Sequence, residues 1–379
     1  MRIAVTTGHF EPNYYRSNEY LICEGMAKLG HKVTLFASNK HPKWQNSQNT
    51  KTVLETTKCD GFLVRRLFSG PEVGIMPSMP SLLFHLLRER FDVIHSHEFF
   101  ALSSFQSAIV AEGKKCRFIV TQHNDQLPTS SVNRLLYLSS KYNFGKYTLS
   151  RAKKIIALTT DIKLHLIRMG ADENKIEVMP TGVDTRIFSP QKRNFLEAKW
   201  GITHPVVLFV GRLVKDKGIE YLFQAFSEVV HEMREAKLVI VGRGPQENYL
   251  RILGRRLGLR NVFFLGALEN KIMPNVYVGC DVLVLPSIFE PFGNVVIEAM
   301  AASKPVIGSY VGGMKDSVVH AVTGFHVRPR TSEQLSRYLT ELLRDSTLRK
   351  KLGENARRRV LKEYDHDLLL KRMESIYLE

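Results

Sequence analysis

Two acids and two cations in the second half of the chain have the types and spacing to handle a charged, hydroxyl-rich ligand. The acids are Glu290 and Glu298, within DVLVLPSIFEPFGNVVIEAMAASKPVIGSYVGG (281–313). The cations are Arg212 and Lys217, within VLFVGRLVKDKG (207–218). An ionised carboxylate accepts hydrogen bonds from two adjacent hydroxyls. A planar guanidinium and a point ammonium on one loop can converge on a single diphosphate. There they stabilise the charge left when a bond to that diphosphate breaks.

The surrounding pattern says what must position these groups. The apolar run at 282–285 reads as a buried parallel strand. A short loop, 287–293, carries Glu290. Asn294 opens an apolar-periodic stretch (Val295, Val296, Ala299, Met300) that reads as a helix, with Glu298 in its second turn. Another apolar run, 305–307, ends in Gly312 and Gly313. In such a strand–loop–helix–strand unit the N–H groups of Gly293, Asn294 and Val295 face the crevice at the strand ends and offer an anion site. Gly211 likewise ends a buried strand and lets the backbone come close to a ligand. A phosphate at the helix mouth with carboxylates beside it suits a sugar nucleotide.

Glu290 and Glu298 are separated by seven residues, with Pro291, Phe292 and Gly293 after the first. In its setting this resembles the E-x7-E signature of the retaining glycosyltransferases with the GT-B fold, family 4. The GR…KG pairing at Arg212 and Lys217 and the PTGVDTRIFSP linker at 180–190 match the same family. The resemblance implies two Rossmann-like, doubly wound parallel-sheet domains facing across a cleft. It implies Glu290 as a catalytic group accepting from the transferred sugar's hydroxyls, helped by the backbone of Phe292 and Gly293. Glu298 would bind the ribose, and Arg212 and Lys217 the diphosphate. His123, ending the run FIVTQHND, would be the catalytic imidazole near the reacting carbon, with His97, Asp125 and Arg16 on the acceptor side. The first loop departs from the family: Arg16, Ser17 and Asn18 stand where a glycine pair is usual. Either Arg16 substitutes charge for backbone amides, or the loop serves the acceptor. The family needs no metal and no cofactor beyond the nucleotide-diphosphate sugar itself.

The rest of the chain fits that frame. Apolar runs at 2–7, 32–37, 62–68, 92–97, 117–123, 154–158 and 175–179 predict strands alternating with helices, and so a parallel sheet. Residues 38–60 are polar and irregular, predicting a loop. After 190 the alternation repeats, with strands at 206–210, 237–241, 262–265, 282–285, 306–307 and 324–327. The expected division is 1–187 and 188–363, with 364–379 packing back on the first domain. Closure about 180–190 and the stretch near Tyr364 would bring His123 to Glu290. His95 and His97 lie two apart and would face the same way. The segment 71–91 pairs exposed-looking Ile75, Met76 and Met79 with a leucine-rich helix, read first as core and second as a membrane-facing element.

Of the 379 residues, 54 are Lys or Arg and 37 Asp or Glu, a net +17 that speaks of anionic partners and not of fold. Basic clusters at 146–154, 251–260 and 344–362 read as solvated helix faces. Four scattered cysteines with no C-x-x-C predict reduced thiols. No signal-peptide pattern and no spanning apolar run are present, so the expected location is cytoplasmic, peripheral at the inner face of the cell membrane at most. The expected partners are a nucleotide-sugar donor, a lipid-linked or saccharide acceptor and an anionic membrane surface, with no nucleic acid. A dinucleotide oxidoreductase is excluded, because Gly242-x-Gly244 lacks the third glycine of the fingerprint. A GT-B sugar-nucleotide epimerase and a non-catalytic basic lipid- or RNA-binding module stand as alternatives.

Overall fold

The computed structural model describes residues 1–10, 17–40, 54–70, 72–73, 76–124 and 131–379. The chain divides into two units, Met1–Pro180 with Asp367–Glu379, and Thr181–His366.

Among the described residues of the first unit the strands are β1 (Arg2–Thr7), β2 (Lys32–Ser38), β3 (Thr56–Cys59), β4 (Phe62–Leu67), a short ribbon of β5 (Glu72–Val73) and β6 (Met76–Pro77), β7 (Val93–His97), β8 (Arg117–Gln122), β9 (Lys154–Ala157) and β10 (Ile176–Val178). All but the ribbon join one sheet in the order β10-β9-β8-β7-β1-β2-β4-β3, parallel throughout except for β3 against β4. β3 lies inside the stretch expected to be irregular. Its residues, TTKC, alternate between exposed and half-buried, as an edge strand permits. It has no apolar run to announce it, which is why the sequence reads as loop there.

The second unit holds β11 (Val206–Val210), β12 (Lys237–Val241), β13 (Val262–Gly266), β14 (Val282–Leu285), β15 (Val306–Ser309) and β16 (Gly324–Val327). They form an all-parallel sheet in the order β13-β12-β11-β14-β15-β16. VVLFV and VLVL are continuous apolar runs because helices cover both faces. One such helix, Ile219–Glu232, buries Ile219, Leu222, Phe223, Phe226 and Val229, the three-and-four spacing of one helical face.

The last helix, His366–Leu378, belongs to the core of the first unit. Leu369, Leu370, Met373, Ile376 and Tyr377 pack with Ile3, Val5, Val33 and Met26. The two chain segments joining the units run side by side: Val183 N–H donates to the Tyr364 carbonyl at 2.9 Å, and His366 N–H to the Val183 carbonyl at 3.0 Å. In the segment 71–91, Met79 is buried and not exposed, together with Leu82 and Leu86, while Phe84 and Leu87 face solvent. Met76 packs against the core, and Ile75 lies outside the described residues. The four cysteines are free thiols. No helix among the described residues is long and apolar enough to cross a membrane.

The Tyr377 hydroxyl meets His95 Nδ1 at 2.6 Å with both residues fully buried, tying the last helix to β7. Tyr377→Phe leaves that nitrogen unpaired and is expected to lower stability by about 1–3 kcal/mol, measured by urea melts.

Candidate active site

In the second unit the strand order reverses between β11 and β14, which pair at Val207↔Val282 and Leu208↔Leu283. Ligands of open parallel sheets bind outside the carboxyl ends of strands at such a reversal. The loops leaving these two strands carry Arg212, Lys217 and Glu290. Backbone bonds join them: the Asp216 carbonyl accepts from the N–H of Ile288 at 2.7 Å and of Phe289 at 3.2 Å. Side chains then close the contact. Lys217 Nζ donates to Glu290 Oε2 at 2.5 Å, and Ser287 Oγ to the same oxygen at 3.2 Å. Lys217 is 14% and Glu290 8% exposed, so this is a nearly buried ion pair. Arg212 is exposed on the same loop, with no ion-pair partner among the described residues.

Two glycines fix how the Glu290 loop turns. Gly293, the residue before the helix Asn294–Ala301, has φ +89°, a left-handed conformation that side chains resist. Phe292 beside it is buried, and Val295 is half-buried in the first turn. Gly312 has φ +47°, and a Cβ there would fall 1.7 Å from the Glu290 carbonyl oxygen. The Gly313 N–H donates to the Pro291 carbonyl at 3.1 Å. The paired glycines after β15 therefore let one loop back directly onto the loop that carries the acid. Gly211, at the end of β11, donates its N–H to the Val241 carbonyl at 3.0 Å.

Glu298 has a different environment from Glu290. Its Oε2 accepts from the Tyr277 hydroxyl at 2.6 Å. Burial pushes its carboxyl up to about 7, with the Tyr277 hydrogen bond pulling the other way.

The first unit has its own reversal between β1 and β7. Around it gather Glu19, His97 and His123. His97 Nδ1 and His123 Nε2 lie 2.7 Å apart, with the rings stacked at 5.0 Å, and His95 stacks on His97 at 4.7 Å. Glu19 Oε1 is 3.8 Å from His97 Nδ1 and 3.7 Å from His123 Nε2, and it accepts from the Thr7 hydroxyl at 3.3 Å. Burial lowers the affinity of all three imidazoles for a second proton, and for His95 and His97 the neighbouring imidazoles add to it. His97 Nε2 is buried with no hydrogen-bond partner among the described residues. An unpaired buried N–H costs more than an unpaired lone pair, so the His97 proton sits on Nδ1 and is donated to His123. His123 then keeps its own proton on Nδ1, as an outward donor.

Glu19, His97 and His123 bring ligand atoms within 4.8 Å of one another. Metal-binding imidazoles almost always donate their second nitrogen's proton to a partner. His97 has none among the described residues, and on those residues the cluster fits a hydrogen-bonded relay better than a metal centre. His95 and His97 do face one way, as their spacing predicts, but His95 is taken up by Tyr377 and by Thr121 Oγ1 at 2.7 Å. Arg16 and Asp125 lie outside the described residues.

Three groups at these sites do not stand out in the sequence: Glu19, Tyr277 and Ser287. Ser17 caps the helix Asn18–Lys28 by accepting from the Tyr20 N–H, and Glu19 sits in its first turn. The S-N-E run is a helix-start signal that could have placed Glu19 beside the β1 loop. Nothing local points to Tyr277, which comes from the helix Met273–Val278.

The Glu298 environment makes stability depend on pH. The folded state holds the proton to about pH 7, whereas the unfolded chain releases it near 4.5. Ionisation therefore weighs against the fold increasingly from pH 4.5 to 7 and constantly above. Glu298→Gln keeps the acceptor for Tyr277 and removes the charge. Urea melts should find it about 2 kcal/mol more stable than wild type at pH 8, a figure reduced for the side chain's solvent contact, and equal at pH 4.

Known proteins resemble this chain along its whole length. The family described as Glycosyltransferase Family 4 matches residues 20–187, and Glycosyl transferases group 1 matches 192–359. An uncharacterized glycosyltransferase of Methanocaldococcus jannaschii is 28% identical over 100% of this chain and 98% of its own. Two solved structures share the fold. The sucrose-phosphate synthase of Thermosynechococcus elongatus is 23% identical, with TM-score 0.77 over 99% of this chain and 98% of that one. Anabaena HepE in complex with UDP-glucose is 22% identical, with TM-score 0.77 over 99% of each. The epimerase alternative draws no support from these matches. With two parallel-sheet units of the GT-B fold and both family regions matched, the chain belongs to the group 1, family 4 glycosyltransferases.

Proposed function

We propose that the enzyme moves a hexosyl unit from a nucleotide-diphosphate sugar, UDP- or GDP-linked, to a hydroxyl of a saccharide or lipid-linked acceptor, with retention and without a metal. The observation that carries this reading is the Lys217–Glu290 pair at the β11/β14 reversal, with Glu298 on the helix that starts beside it. Arg212 and Lys217 take the diphosphate and supply the fixed positive charge that a metal would otherwise bring. A diphosphate carries more charge than one carboxylate. Its arrival draws Lys217 away and leaves Glu290 to accept from the sugar's hydroxyls. Glu298 takes the ribose, and the backbone of Gly293, Asn294 and Val295 faces the anion. The solved HepE complex with UDP-glucose favours a uridine donor.

Among the described residues no carboxylate stands out as a nucleophile. The bond from the anomeric carbon to the phosphate oxygen breaks, and the acceptor oxygen bonds the same face. The departing phosphate oxygen takes the acceptor's proton. His123, with its proton held outward by His97, serves the reacting sugar as a hydrogen-bond donor. His97 is then a positioning residue for His123, and the acceptor-side role is proposed for Arg16 and Asp125.

A panel of UDP-, GDP- and ADP-sugars without acceptor should show slow release of one nucleotide diphosphate. Arg212→Ala and Lys217→Ala should each lower that turnover by about two to three powers of ten, by loss of a transition-state donor. Near-wild-type turnover in either variant sinks the diphosphate assignment. NMR of the first product formed in the full reaction should show the donor's anomeric configuration, and the inverted anomer would rule out the same-face route.

A further inference from the structure

Glu98, the residue after His97 at the end of β7, has a left-handed backbone conformation, φ +68°. Residues with a Cβ resist that conformation, and one that holds it is held there by its surroundings. Glu98 is also only 4% exposed, so an acid has been taken out of water at the same point. Hydrogen bonds close on its backbone from three sides. Its N–H donates to the Thr121 carbonyl at 2.9 Å, and its carbonyl accepts from the Ala101 N–H at 3.0 Å and the Ser104 hydroxyl at 2.8 Å. The turn alone would be better served by glycine, which takes a positive φ freely. The acid needs another reason.

Its carboxylate supplies one. Oε1 accepts from Asn124 Nδ2 at 3.2 Å, and Oε2 accepts from Gln122 Nε2. Those two residues are the neighbours of His123 on either side. Gln122 Nε2 donates to the Asn124 carbonyl as well, and Gln122 Oε1 accepts from the Phe99 N–H at 3.0 Å. The chain therefore curls around the Gln122 amide as it passes through His123. An ionised carboxylate suits this place, since it only accepts and both amides bring it an N–H. Consecutive residues thus share the work. His97 meets the His123 ring, Nδ1 to Nε2 at 2.7 Å, and Glu98 grips the residue before that ring and the residue after it.

We propose that Glu98 is a positioning residue for His123. By fixing Gln122 and Asn124 it sets where the imidazole stands, keeping Nε2 on His97 and the Nδ1 proton outward. The proposal rests on the reading of His123 as the donor to the reacting sugar, and it assigns Glu98 no contact with substrate.

A swap of donor and acceptor tests it. E98Q turns one acceptor into a donor and sets N–H against N–H at Gln122 or Asn124. Release of nucleotide diphosphate without acceptor should then fall about ten- to a hundredfold in kcat, with KM for the donor unchanged. N124D alone sets carboxylate against carboxylate and should do similar harm. E98Q/N124D restores a donor facing an acceptor and should recover most of the loss, which also serves should E98Q fold poorly. In a His123→Ala background E98Q should cost nothing further, because a residue acting through His123 has nothing left to place. Nitrogen NMR of the full-length protein labelled in histidine gives a reading that needs no turnover. Wild-type His123 should carry its proton on Nδ1, E98Q should mix the two tautomers, and E98Q/N124D should return the single one. Equal losses with and without His123, no recovery in the double variant, or His123 nitrogens unmoved by E98Q would each overturn the proposal. Should wild type release no nucleotide from any donor, the donor reading fails and the nitrogens alone decide the role of Glu98.

Discussion

Lys217 and Glu290 are 73 residues apart in the chain and 2.5 Å apart in space, and the site in the second unit depends on that contact. A nearly buried ion pair is a weak source of stability, because taking two charges out of water offsets most of their attraction. Hydrophobic residues of the same volume would hold the two loops at least as well. What the pair supplies is position. Together with the Asp216 carbonyl, it brings the loop after β11 into register with the loop after β14. Each charge is also held in place by the group it is proposed to leave when substrate binds. Because the partners share one contact, the effects of removing them will not add.

The sheets of both units were legible because parallel strands buried on two faces must be written as unbroken apolar runs. VVLFV, KLVIV and VLVL leave little choice. β3 was illegible for the opposite reason, since an edge strand half in solvent carries no such run. The residues proposed for the donor stand out through motif spacing, because Glu290 and Glu298 come from one continuous loop and helix. Their partners do not. Tyr277 reaches Glu298 only after the helix Met273–Val278 has docked, and no local pattern encodes that docking. Ser287 lies within the motif but has no distinguishing type or spacing.

The first unit repeats the lesson with different chemistry. His97 and His123 end neighbouring strands, paired at His97↔Thr121, so sheet order alone brings them close. Glu19 arrives from another route, on the first turn of the helix following β1, and meets them because β1 lies next to β7. A reader of the sequence sees two histidines and an acid more than seventy residues away. The parallel reversal makes them one cluster. His97 illustrates how burial bears on a proton's place: with nothing among the described residues to pair its Nε2, the proton is better placed on Nδ1, and that choice fixes the tautomer of His123.

The two acids of the signature motif show why spacing alone does not assign roles. Glu290 sits against an ammonium and a hydroxyl, whereas Glu298 faces, among the described residues, a phenol and no cation. Environments that differ this way divide labour between like groups. Burial holds the Glu298 carboxyl near neutrality, poised between forms at about 7. A neighbouring diol donating two hydrogen bonds favours the ionised form, while the Tyr277 bond survives in either. The proposed ribose would therefore complete the desolvated carboxylate that the fold alone leaves half protonated. A group that destabilises its own fold until a ligand satisfies it belongs at a binding site, where stability is routinely given up for function.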